Sequence, residues 1–112
     1  MPWLCLLSYF LGGAFTGNAI PHLVCGLTGR AFQSPFAKPP GKGLSSSKVN
    51  VLWGVANLVI AYLLVARVGA FDWRQTPHVL AFGLGFALKG LGSAHQFGKF
   101  HGGNSPTAQS RP

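Results

Sequence analysis

Acid is what this chain lacks: Asp72 is its single carboxylate side chain, set against nine lysines and arginines. Conventional hydrolysis needs a positioned carboxylate or an organised nucleophile and base, so no enzymatic activity is expected. There is no phosphate-binding glycine loop, Walker lysine or dinucleotide fingerprint; Gly83-x-Gly85 lies inside an apolar run, not after a strand. No CxxC, CxxCH or same-helix histidine pair at ligand spacing occurs, so no cofactor is expected. Charge of either sign is scarce, at 9% of residues against 48% hydrophobic. A water-soluble domain carries about a quarter. Much of the surface therefore does not meet water. The net charge of +8 would fit nucleic acid, but no basic helix or aromatic stacking platform accompanies it. No nucleic-acid partner is expected.

What is present is long apolar sequence. Residues 3–27, 49–69 and 77–98 form three runs, with Arg67 only at the end of the second and Lys89 the one formal charge in an interior. A helix needs about 20 mainly apolar residues to cross about 30 Å of hydrocarbon, and each run is long enough. The reading is an all-α membrane protein of three transmembrane helices in one domain, residues 1–100, with a flexible tail at 101–112. The N-terminus lacks the basic region of a signal peptide and reads as an uncleaved helix. Pro21 removes a helical hydrogen bond to Gly17 and clashes with its carbonyl, which predicts a kink or unwound turn in the first helix.

Orientation follows from the connections. Arg30, Lys38, Lys42 and Lys48 in the basic Pro/Gly loop at 28–48, with Lys99 and Arg111 in the tail, outnumber Arg67 and Arg74 in the second connection. The positive-inside rule places the N-terminus outside and the C-terminus in the cytoplasm of a multi-pass cell (inner) membrane protein. Trp3, Phe71 and Trp73 then form an outer aromatic belt. In the basic loop Phe32, Phe36 and Leu44 alternate with the cations, as a strip in an anionic headgroup layer would. Ser45–Ser47 supplies an N-cap for the second helix.

Lys89 lies about halfway along the third run, and a helix-centre lysine costs about 2.5–3.5 kcal/mol to insert. Counted at ~1.5 Å per residue, Asn18, Asn57 and Lys89 share one depth, ~12–14 Å from the cytoplasmic boundary. They are read as a polar node whose amide oxygens accept from the ammonium. Asn50, Gly54, Asn57 and Ala61 make one small-and-polar stripe; Gly85, Lys89, Gly92 and Gln96 make another, beside Gly83, Ala87, Gly90 and Ala94. Gly13 and Gly17 give a GxxxG. Cys5 and Cys25, at opposite ends of one helix, are expected to be free thiols. His22, Cys25 and His95 are the weak candidates for a haem or metal site; His78 and His101 read as incidental.

These features point to a non-enzymatic binding or accessory subunit, as a homo-oligomer or beside a larger membrane partner. One alternative is a small transporter for an anion or small solute using Asn18, Asn57, Lys89 and the Gly17/Pro21 break. A second is a haem- or metal-bearing subunit through His22 and His95.

Overall fold

Three stretches of the chain satisfy their backbone hydrogen bonds internally: α1 over Pro2–Leu27, α2 over Ser47–Ala66 and α3 over Thr76–His101. The structure, a computed structural model, describes residues 2–106; the remainder of the expected tail lies outside the described residues. Gly29, at φ 76°, closes α1 in the left-handed conformation that glycine tolerates. Ser46 opens α2 from extended backbone, its hydroxyl accepting the Val49 N–H at 3.2 Å. Ser46→Ala should lower stability by about 1 kcal/mol, read from thermal unfolding in detergent by circular dichroism. Arg67 caps α2, so residues 67–69 belong to the connection rather than to the second helix. Pro77 occupies the first turn of α3, and Gly102 ends it in a left-handed cap. This third helix runs beyond Gly98 to His101. Past it the chain turns back, with the Asn104 amide donating to the His95 carbonyl at 2.9 Å.

Two helices, α1 over Trp3–Leu27 and α2, are long and apolar enough to cross a membrane. The third matches them in length but not in hydropathy, because Lys89 and its glycines dilute it. The helix α1 is unbroken through Pro21, so the unwound turn predicted there is not formed. One missing N–H leaves the neighbouring helical bonds in place, and packing on both sides supports the segment.

The central element is α1, which packs along both α2 and α3. Asn50, Gly54, Asn57 and Ala61 are the buried residues of α2, a single stripe facing α1. The α1–α3 contact is made backbone to backbone: a Cβ at Gly13 would strike the Phe82 carbonyl, and one at Gly85 the Phe10 carbonyl. On α3, Gly85, Ser93 and Gly98 are buried, whereas Lys89, Gly92, Gly83, Ala87 and Ala94 are exposed. Neither predicted α3 stripe is therefore the packed face. With α1 as its main neighbour, the helix buries a narrow strip.

Burial is inverted relative to a water-soluble bundle. The largest fully buried side chains are Tyr9, His22, Asn50, Asn57 and Ser34, while Leu52, Val59, Leu80, Leu84, Leu88 and Leu91 face outward. Phe71, expected at an outer boundary, instead turns in against the edge of Tyr9 at 5.0 Å, leaving Trp3 and Trp73 exposed. His78 is not incidental: its Nδ1 accepts the Asp72 N–H at 2.9 Å, and its ring lies 4.9 Å from Tyr9.

The 28–48 loop departs most from expectation. It folds into a cap, with β1 (Phe32–Gln33) and β2 (Leu44–Ser45) paired antiparallel, Phe32 opposite Ser45. Phe32 is buried rather than lying in a surface strip, packed on Phe97 at 4.5 Å and stacked on His101 at 5.4 Å. The Gln33 Oε1 meets His101 Nε2 at 2.8 Å, so His101 too has a structural partner. Ser34 and Ser45 share a hydroxyl–hydroxyl bond at 2.6 Å. Phe36 and Leu44 do stay outward. Alternation of apolar and cationic residues matched a surface strip, but tertiary contacts to α3 claimed the first aromatic.

Candidate functional site

Asn18 of α1 and Asn57 of α2 meet directly. The Asn18 Nδ2 donates to Asn57 Oδ1 at 3.0 Å, and Asn57 Nδ2 donates to the Trp53 carbonyl at 2.7 Å. Asn57 is 0% exposed, so both its amide groups are spent on partners inside the bundle. Each amide orientation is thereby fixed. Helical spacing places them: Asn57 follows Asn50 and Gly54 on the buried stripe, and Asn18 lies one turn before His22 on α1.

Lys89 joins them from α3. Together with Ala14, Phe15, Asn18, Trp53 and Asn57 it lines a groove of about 260 Å³ between α2 and α3, floored by α1. The lysine Cβ comes within 3.8 Å of where a Cβ at Gly17 would stand, so a small residue on α1 lets α3 approach at this level. The predicted ammonium–amide bonds are not formed. Asn57 Oδ1 is taken by Asn18, and Lys89 is exposed with no hydrogen bond to a described residue. The groove therefore presents an unneutralised cation beside a fixed pair of amides. The chain's one carboxylate, Asp72, is held in the α2–α3 connection, where it accepts the Arg74 N–H at 2.9 Å.

A second cavity of about 230 Å³ adjoins the first through Asn18 and Trp53 and runs beneath the cap, bordered by His22, Gln33, Ser34 and Gln96. His22, 2% exposed, has its Nδ1 2.7 Å from Asn50 Oδ1. The Asn50 Nδ2 lies within bonding distance of the carbonyls of Phe32 (3.1 Å), Ser45 (3.2 Å) and Ser46 (3.0 Å), which fixes the amide with its oxygen toward the ring. An amide oxygen only accepts, so Nδ1 donates to it. Asn50 thus ties α1, both short strands and the start of α2 through one side chain. In the sequence Asn50 is only one member of the small-and-polar stripe, because nothing in the spacing shows that a loop folds back onto it.

The remaining candidates do not converge. His95 is exposed while His22 is buried, and Cys25 is half-buried. Among the described residues no group of three histidine, cysteine, aspartate or glutamate side chains gathers as a metal would require. Cys5 and Cys25 are free. Arg30, Lys38, Lys42 and Lys48 are all exposed around the cap and the first turn of α2. Trp53 Nε1 and Ser93 Oγ are buried without a partner among the described residues. Comparison of the chain with protein-family models, curated proteins and solved structures finds no match to any of them.

Proposed function

We propose that this chain is a three-span integral membrane protein, N-terminus outside and C-terminus cytoplasmic, serving as a non-enzymatic accessory subunit of a larger membrane assembly. The partner is a transmembrane helix carrying a carboxylate, seated in the groove at Lys89. The observation that carries this reading is the exposed Lys89, without a hydrogen bond to a described residue, in a groove where the Asn57 amide is already spent on Asn18 and the Trp53 carbonyl. A second copy cannot neutralise it, since each copy brings another lysine and no acid to that level. A carboxylate from a different chain can, and it would also cover the third helix, the least hydrophobic of the three.

Removing one member of such a buried pair costs about 3–5 kcal/mol, a loss of roughly 10²-fold or more in affinity. Lys89→Met should therefore reduce the complex extracted in mild detergent to the mass of the chain without its partner, with Lys89→Arg largely preserving it. Size-exclusion chromatography with light scattering reads the result. The adjoining cavities favour a second reading, a small-solute path through the groove and under the cap. In that case Lys89→Met leaves the assembly intact and abolishes flux of an anion in proteoliposomes. If mass and flux are both unchanged, neither reading stands.

A further inference from the structure

We infer that the cytoplasmic end of α2 is a binding site for one anionic diacyl phospholipid, its phosphate on Lys48 and its two chains on either side of Leu52. The site has only Trp53 in common with the Lys89 groove, and it rests on the membrane placement proposed above.

Leu52 is 70% exposed and stands as a ridge between two grooves. One, of about 500 Å³, is walled by Phe36, Val49, Trp53 and Ala56. The other, of about 340 Å³, lies toward α1 between Gly26, Ser47, Lys48 and Val51. Both share Leu52, so they lie on either side of one ridge, as two acyl chains joined at one glycerol require. Phe36 is 63% exposed and packs edge-on to Trp53 at 5.2 Å, which builds the far wall of the larger groove from the cap. The folded cap, not the helix alone, makes that groove.

Lys48 supplies the headgroup contact. It precedes Leu52 by four residues, so on a helix it sits one turn above the ridge on the same face. It is exposed and lies in the first turn of α2, where the backbone N–H groups of a helix start also favour an anion. Of those groups, the Val49 N–H is already committed to Ser46. Arg30, Lys38 and Lys42 add positive charge on the same connection, which holds no acid. A zwitterionic headgroup brings its own cation into this field; an anionic one does not. Charge thus selects the anionic lipid, and the paired grooves select two chains.

Native mass spectrometry of the full chain, equilibrated with equal amounts of phosphatidylglycerol and phosphatidylcholine, tests this. The wild type should retain phosphatidylglycerol at least fivefold over phosphatidylcholine. Lys48→Gln should bring the ratio to near one, while Lys99→Gln, at the end of a different helix, leaves it unchanged. Ala56→Phe, which fills the larger groove, should lose both lipids. Equal retention by the wild type, or a preference that survives Lys48→Gln, overturns the site. So does disulfide crosslinking of a Leu52→Cys variant to a second copy with lipid excluded, which would make the ridge an interface between chains. If the chain stays in solution without detergent and does not enter liposomes, the membrane placement itself falls. Entry into liposomes with no lipid preference sinks this proposal alone.

Discussion

Replacing Asn50 by leucine is expected to release the 28–48 cap from the helices while leaving α1 and α2 helical. Asn50 is fully buried, and its side chain is the common partner of the His22 ring and the carbonyls of Phe32, Ser45 and Ser46. The Ser46 carbonyl keeps the Asn50 backbone N–H at 3.1 Å, whereas the His22 N–H loses its acceptor and the Phe32 and Ser45 carbonyls lose their side-chain donor. Each buried polar group left unsatisfied costs about 1–3 kcal/mol, so opening the cap is the cheaper outcome. A shift of that size raises the open population by roughly one to two orders of magnitude. Trypsin cleavage after Arg30 and Lys42 should accelerate in proportion when opening is fast relative to cutting; Lys38 precedes a proline and is not a site. Asn50→Asp separates the contributions, since it keeps an acceptor for His22 but turns oxygens toward the loop carbonyls; it should open the cap too. Cleavage of both variants at the wild-type rate would mean that Phe32 and its aromatic neighbours hold the cap without the amide. The same experiment bears on the lipid site, because the wall formed by Phe36 is present only while the cap is closed.

Helix positions were legible because a long apolar run has few other ways to satisfy its backbone, and the α2 stripe was legible because bulky residues surround it. Asn50, Gly54, Asn57 and Ala61 recur at one helical spacing among valines and leucines, so only one face can be the packed one. The third helix offered no such contrast. Gly83, Gly85, Gly90 and Gly92 put small residues on several faces at once, and spacing alone did not single out Gly85. The level shared by Asn18, Asn57 and Lys89 followed from counting along each helix. Who bonds to whom did not, since that depends on helix rotation by fractions of a turn. The cap was hidden for a different reason. Its anchors are single side chains reaching backbone or an isolated ring, as with Asn50, Gln33 and His101, and such contacts leave no periodic trace. Pro35, Pro39 and Pro40 bar a regular helix there, yet proline content does not tell a folded cap from a strip on a surface.

The glycines of α3 should separate sharply when each is changed to valine. Gly85→Val is expected to detach α3 from α1, whereas Gly83→Val and Gly92→Val should move stability by no more than about 0.5 kcal/mol. At Gly83 and Gly92 an added Cβ meets open space, but at Gly85 it overlaps the Phe10 carbonyl. Backbone of a neighbouring helix cannot swing aside as a long side chain can, so the helices must separate. Overpacking within a side-chain core costs about 1–3 kcal/mol, and a backbone obstacle belongs at or beyond the upper end. The loss would not be shared, because α3 has its extensive contact with α1 and little with α2. Detachment also withdraws Phe97 and His101 from Phe32, so the cap should become trypsin-sensitive in Gly85→Val although the substitution lies several turns away. Thermal unfolding in detergent and the cleavage rate of the cap, measured on the same three variants, check both parts. Equal stability across them would mean that α3 does not approach α1 at Gly85. In that case the groove holding Lys89 beside Asn18 and Asn57 would lose its third wall.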